Sequence, residues 1–438
     1  MRYTIENLLL ALAMLIAATP AALPRELQLS VDELFARVDT ASLAVKSQVT
    51  AVEAAQSGIA AAKSQYLPDI NTALSVGYDG NALLTNREFG DATWVHSPHF
   101  ANGFSVQLEQ PVYAGGAIKA GVEMARLQEQ NAKIGVKLSR LDERYLALQQ
   151  YLGIYKVLNR IKVYERNIAL TERLVSDITD KYKQGMALKN DITRYELQLE
   201  QLRLALKQLG NERSVLNHQL CNTLHIDDGN LIVPDEGLLG ATYGKASEAV
   251  WQDQAAASSP LLEQRQLLSQ QAATQEKLVK SESLPKVSVV VGDELNGPIT
   301  YEVPPLNKNI NVWYLGIGVR YNLGSLYKNN HRLKQARIAT RKAQEDCDVA
   351  AEQVNNRVQQ AHVLYLQSYD ELATQLKSVE LATQNYKVVN DRYLNQLALV
   401  TDMVDASNVK LQAELQEVDA RINIALAYYR LKYVAGTL

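Results

Sequence analysis

The chain has 438 residues, 47% of them hydrophobic and 21% charged, enough for two or more domains, and its formal net charge of −3 gives no electrostatic reason to expect nucleic acid as a partner. Only 22 glycines and 11 prolines interrupt a sequence rich in strong helix formers, so long helices are the first expectation. Two cysteines, Cys221 and Cys347, are too few for a disulfide framework in a chain of this size.

Residues 1–22 read as an export signal: Arg2 in a short polar stretch, then LLLALAMLIAA (8–18), then small residues and proline in TPAALP (19–24). Cleavage is expected between Ala18 and Arg25. Glu6 is unusual in such a leader, which leaves a short anchor or a buried helix as the alternative. No later segment carries about 18 uninterrupted apolar residues, so a further membrane crossing would have to be made of strands.

After a first helical stretch, SQYLP (64–68) leads into DINTALSVGY (69–78), which sets Ile70, Leu74, Val76 and Tyr78 against Asn71, Ser75 and Gly77. FSVQLEQPVY (104–113) alternates in the same way, with Phe104, Val106, Leu108 and Val112 against Ser105, Gln107 and Glu109. A helix is then expected from 114 to 182, roughly 69 residues or about 100 Å. Ile161, Ile168, Val175 and Tyr182 are spaced by sevens along it. The stretch DKYKQGMALKND (180–191) breaks it, and the next helix carries a seam of Ile192, Tyr195, Leu199, Leu202, Leu206, Leu209, Arg213, Leu216 and Leu220, a 3.5-residue repeat with one charged interruption.

The pattern then recurs. SESLP (281–285) matches SQYLP, and KVSVVVG (286–292) is a third alternating strand. In NVWYLGIGVRYNL (311–323), Trp313, Leu315, Ile317, Val319, Tyr321 and Leu323 oppose Tyr314, Gly316, Gly318, Arg320 and Asn322. DRYLNQLALVTD (391–402) repeats the break 211 positions on, with Asp180/Asp391, Tyr182/Tyr393, Ala187/Ala398, Leu188/Leu399 and Asp191/Asp402 coincident. Leu411, Leu415, Val418, Ile422, Ala425 and Tyr429 continue the seam. A tandem duplication is therefore expected, residues 23–238 forming the first structural repeat and 239–438 the second.

Strands of about ten residues with an apolar outer face, a polar or small inner face and aromatics near their ends are what a transmembrane β-barrel requires. A half-buried soluble sheet would give the same alternation in any single strand. Four strands cannot close a barrel, and an open edge in lipid leaves backbone groups unpaired, so the chain is expected to oligomerise. Dimers, trimers and tetramers all satisfy that requirement.

The duplicated helix–strand–strand–helix order, LEQPVYAGG (108–116) at the strand-to-helix junction, and breaks of the form KYKQGMALKND and RYLNQLALVTDMVDA together resemble the TolC-like outer-membrane efflux proteins. The resemblance implies a membrane α+β protein: a homotrimer with a twelve-stranded barrel in outer-membrane lipid, continuous with a periplasmic coiled-coil tunnel. A belt around the tunnel would use HIDDGNLIVPDEG (225–237) and the C-terminal end. The protein would be a passive exit duct, served by a periplasmic adaptor (membrane fusion protein) and an inner-membrane efflux pump or ABC transporter. The lipid-facing set would be Phe104, Val106, Leu108, Trp313, Leu315, Ile317, Val319 and Tyr321.

On this reading each break turns a tunnel helix at the periplasmic tip. Tyr182 and Tyr393 precede the turns, Gly185 supplies a left-handed residue, and Asn190 or Asp191 caps the following helix. Gln396 stands where the family has glycine, so Asn395 is expected to take the left-handed conformation. Ala398 stands where some relatives place an arginine that locks the tip. Asp402 and Asp405 match acidic residues lining the tunnel entrance in the family, and their i, i+3 spacing puts both carboxylates on one helix face, where they could ring the pore and attract cations. Helix capping is the competing role for the same pair.

No phosphate loop, nucleophile elbow or zinc-ligand cluster occurs, so no catalytic residue, cofactor or metal site is assigned. His96 and His99 share a loop; His218, His225, His331 and His362 are scattered through helical sequence. A periplasmic coiled-coil scaffold or an adaptor would share the heptads but would not need strands with an oily outer face.

Overall fold

The computed structural model describes residues 25–239 and 243–438, so the leader at 1–22 lies outside the described residues. In chain order the elements are β1 (Arg25–Leu29), α1 (Val31–Ala41), α2 (Leu43–Ser64), β2 (Asp69–Tyr78), β3 (Ala82–Leu84), β4 (Thr93–Val95), β5 (Phe100–Tyr113), α3 (Ala117–Lys183) and α4 (Lys189–Leu224). They continue with β6 (Asn230–Pro234), α5 (Glu248–Ser258), α6 (Pro260–Ser281), β7 (Lys286–Gly297), β8 (Ile310–Arg320), α7 (Ser325–Leu394) and α8 (Val400–Val434). Two shorter helices, two long strands and two long helices thus recur in the same order. Among the described residues no helix is long and apolar enough to cross a membrane.

Contacts divide the chain into two compact units that cut across the two halves of the sequence. The first comprises residues up to 48, 135–262 and 350–438. Here β1 pairs in parallel with β6, bringing Leu27 opposite Ile232. The Tyr151 hydroxyl donates to the Leu29 carbonyl and accepts from the Asp235 amide, fastening the ends of both strands. Asn217 completes the outer side of β6: its amide group donates to the Asn230 carbonyl at 2.9 Å, and its oxygen accepts from the Ile232 amide at 2.9 Å. Leu34, Val38, Leu148, Ile154, Leu220 and Leu224 bury around this pair. A second core gathers Trp251 and Ala255 of α5 with Val354, Val358 and Tyr365 of α7 and Leu431 of α8.

The second unit comprises residues 49–134 and 263–349 and contains the four-stranded antiparallel sheet, ordered β2-β5-β7-β8. Pro111, which cannot donate to a ladder, sits at a register shift between β5 and β7 that leaves Val112 as the extra residue. Gln110 then ties the end of β5 to the SQYLP turn, donating to the Tyr66 carbonyl at 2.9 Å. In the second half Asn329 serves the SESLP turn, donating to Val279 O at 2.7 Å and Ser283 Oγ at 2.8 Å. In the Ala-Gly-Gly junction, Gly115 has φ +65°, and a Cβ there would lie 2.7 Å from the Ser281 carbonyl oxygen. β8 ends at Arg320, before the expected strand end, because the chain already turns into α7: Ser325 N donates to Asn322 O at 3.0 Å. Tyr321 and Leu323 are therefore exposed beyond the strand rather than within it.

Candidate functional site

Two surfaces carry the candidate residues: the faces of the sheet and the helix breaks. The register of the sheet decides what each face presents. Ile70, Leu108, Val291 and Leu315 lie side by side across the four strands, as do Thr72, Val106, Asp293 and Trp313. Gln110, Val289 and Ile317 form a third row, and Leu74, Phe104, Leu295 and Asn311 a fourth. One face is thus mostly apolar, interrupted by Thr72, Asp293, Gln110 and Asn311. The opposite face carries rows such as Asn71, Gln107, Gly292, Tyr314 and Asp69, Glu109, Val290, Gly316.

Among the described residues, nothing packs over the apolar face of β8. Trp313, Leu315, Ile317 and Val319 are 66–75% exposed, Phe104 is exposed, and Val106 and Leu108 in the interior strand are half-buried. An apolar face left open in one chain is a surface for lipid or for another protein.

At the first break, Gly185 has φ +78°, its amide donates to Tyr182 O at 2.9 Å, and the Met186 amide donates to Lys181 O at 2.8 Å. This is a Schellman closure with glycine at the left-handed position. At the second break the same bonds run from Gln396 to Tyr393 O at 3.1 Å and from Leu397 to Arg392 O at 2.8 Å. The left-handed residue is therefore Gln396, at φ +60°, and not Asn395. Hydrogen-bond closure fixes which residue reverses the chain, so the glutamine accepts a conformation disfavoured by roughly 1–2 kcal/mol for an L-residue. Asn395 instead stays in the helical turn and donates its side-chain amide to Asp391 O at 2.7 Å.

The helix starts are also duplicated. Neither Asn190 nor Asp191 occupies the cap position: α4 is preceded by Leu188, and Asp191, three residues on, accepts from the Leu188 amide at 3.1 Å. Asp402 does the same for the Leu399 amide at 3.0 Å at the start of α8. Asp405 is exposed and has no hydrogen-bond or ion-pair partner among the described residues. The two aspartates thus differ: one carboxylate is committed to a helix end, and the other is free.

Behind the breaks Leu174, Ile178, Tyr195, Val400 and Met403 form a core that Tyr386 and Tyr393 cover. Lys181 lies 5.1 Å from the centre of the Tyr393 ring, a cation–π contact joining the two breaks. Tyr195 is fully buried with no hydrogen-bond partner for its hydroxyl among the described residues, and burial pushes its phenol well above the ordinary range. On the outside, exposed Met186, Leu188 and Leu399 line an open groove of about 590 Å³ between the two breaks, and Leu397 is exposed beside them.

Away from the tip, polar side chains bridge the helices of this unit. Gln198 donates to Asn408 at 3.0 Å, Asn167 to Glu414 at 3.1 Å, and Lys156 and Arg160 flank Asp419 at 3.1 and 3.5 Å. Sequence reading missed them. The available signal was a polar residue beside an apolar seam position, as Gln198 stands beside Leu199 and Asn167 beside Ile168.

The histidines do not converge. His225 ends α4 in the left-handed conformation, His218 pairs with Asp228 at 2.8 Å, and the His96 and His99 rings meet edge to face in the β2–β5 connection. Among the described residues no group of three His, Cys, Asp or Glu side chains could hold a metal ion.

Residues 251–437 match the family described as Outer membrane efflux protein. No curated protein sequence matches the chain. Among solved structures, a membrane protein from Pseudomonas aeruginosa is similar with a TM-score of 0.76 and 13% identity, over 92% of this chain and 90% of that one. The outer membrane protein VceC from Vibrio cholerae matches with a TM-score of 0.73 and 12% identity, over 93% and 96%. The CmeC outer membrane channel of Campylobacter jejuni matches with a TM-score of 0.70 and 12% identity, over 93% and 85%. At such identities the structural likeness establishes the fold, while the family match falls on the second half of the sequence. Residues 251–437 thus match the outer membrane efflux protein family, and the chain as a whole has the fold of these outer-membrane channel structures.

Proposed function

We propose that three copies of the chain close a twelve-stranded barrel in the outer membrane, continuous with a periplasmic helical tunnel, and that this duct passively conducts cargo delivered from the inner membrane. The observation that carries the reading is the sheet: its apolar sides fall in register on one face, and both outer strands, β2 and β8, leave an edge unpaired. In hydrocarbon an unpaired edge costs several kcal/mol per backbone group, and joining edge to edge in a closed ring removes it.

The helix breaks form the periplasmic entrance on this reading. Three copies of Asp402 and Asp405 put six carboxylates around a narrow axis, a ring that attracts cations and resists their passage. The exposed Met186, Leu188, Leu397 and Leu399 suit docking of a periplasmic adaptor, which in turn recruits an inner-membrane efflux pump or ABC transporter. The protein purified in mild detergent should have three times the protein mass of the mature chain, somewhat below three times the 48.7 kDa of the chain with its leader, and should form ion-conducting pores in planar bilayers. A monodisperse monomer that still inserts into bilayers would refute the closed barrel.

A further inference from the structure

The polar face of the sheet carries a charge pattern that a single chain leaves unresolved. At the end of the sheet nearer the long helices, Asp69 stands directly opposite Glu109, a like-charge pair across β2 and β5. Lys286 stands directly opposite Arg320, a like-charge pair across β7 and β8. Among the described residues none of the four side chains has a hydrogen-bond or ion-pair partner. Like charges directly opposite on neighbouring strands are destabilising, so each pair has a deficit that an outside partner could offset. Asp69 and Arg320 lie on the two unpaired edge strands, and both are exposed.

We infer that β8 of one copy pairs antiparallel with β2 of the next, with Arg320 set against Asp69 of the second copy. This rests on the closed-barrel reading above and adds its seam. Three constraints lead to it. Faces must match, so the register offset at the seam, relative to the rows within one sheet, is an even number of residues. A closed barrel tilts its strands by about 35–45°, and with a rise of about 3.3 Å per residue and about 4.8 Å between strands, an offset of four residues over four strands gives about 35° and one of six about 46°. The edge strands must overlap, and only an offset in the direction of increasing β2 number keeps β8 alongside residues 69–78.

With the offset of four, Arg320 lies opposite Asp69, Gly316 opposite Ala73 and Leu315 opposite Leu74, so apolar meets apolar and ten residues of each edge are paired. With six, Arg320 lies opposite Asn71, diagonal to Asp69 and within reach of its long side chain. Either way a basic edge meets an acidic edge, and the arrangement repeats identically at each seam of a ring. With no offset, Gly316 would lie opposite Asp69 and Arg320 would extend past the end of β2.

The test combines charge exchange with cysteine pairing, in the full-length protein with Cys221 and Cys347 replaced by serine. Asp69→Arg and Arg320→Asp should each lower the trimer fraction in detergent, read by light scattering, and the double exchange should restore it. Gly316→Cys with Ala73→Cys, or with Ser75→Cys, should give covalent trimers on mild oxidation; Gly316 has open space for the thiol. Covalent trimers from Gly316→Cys with Asp69→Cys would overturn the offset. A parent trimer that neither responds to the charge exchange nor crosslinks at Ala73 or Ser75 overturns the seam while leaving the barrel reading intact. A parent protein that is monomeric in membranes removes that reading itself.

Discussion

Asp402 and Asp405 can be separated experimentally because only Asp402 is bonded to a helix end. Asp402→Ala removes the acceptor of the Leu399 amide, a 3.0 Å bond. Loss of a helix-start acceptor costs about 0.5–2 kcal/mol. Leu399 is 70% exposed, so its freed amide can turn to water, which puts the cost near the lower end, about 0.5–1 kcal/mol. Asp405→Ala breaks no bond and should change stability by less than about 0.5 kcal/mol. If both carboxylates ring the entrance, both variants should weaken block by multivalent cations added on the periplasmic side and reduce cation preference. Only Asp402→Ala should speed hydrogen exchange at the start of α8. Planar-bilayer recording and hydrogen exchange on the same preparations give the two readouts. Unchanged block and selectivity in Asp405→Ala, with faster exchange in Asp402→Ala, would refute the ring and leave a helix cap alone.

Ile317→Arg places a charge on the apolar face, at roughly 2–4 kcal/mol if it sits at the bilayer midplane, and should impair insertion; Gly318→Arg projects to the polar face and should chiefly alter conductance, so equal insertion defects would count against a two-sided strand. Tyr195→Phe deletes a buried hydroxyl that has no partner and should stabilise the tip core by about 1–3 kcal/mol, seen as a raised melting temperature, whereas a loss of stability would mean the hydroxyl is bonded in the assembled protein. Gln396→Gly relieves a left-handed residue but loosens the unfolded chain, and should stabilise by about 0.5–1 kcal/mol; the same change at Asn395, which is not left-handed, should destabilise.

Much of the architecture was legible along the chain because it rests on one-dimensional periodicity. Alternation over residues 69–78 gives β2 with the same bounds the structure has, and the seven-residue spacing from Ile161 to Tyr182 gives a helix that runs to Lys183. Both breaks were visible as interruptions of that spacing, and glycine at 185 marked one left-handed turn because few other residues accept it. The structure decided what periodicity does not encode: the hydrogen-bond closure of local turns, and pairing with partners distant in sequence. Hydrogen-bond closure put Gln396 rather than Asn395 in the left-handed position, and the bond to Leu399 committed Asp402 but not Asp405. The parallel pairing of residues 25–29 with 230–234 joins segments whose short alternation could face any edge. The order β2-β5-β7-β8 interleaves nothing but sets two strands from each half edge to edge, and only that register shows Asp69 and Arg320 as unpaired charges on opposite edges. Periodicity states which side of an element is apolar; which strand lies beside it is decided by backbone hydrogen bonds that carry no local signature.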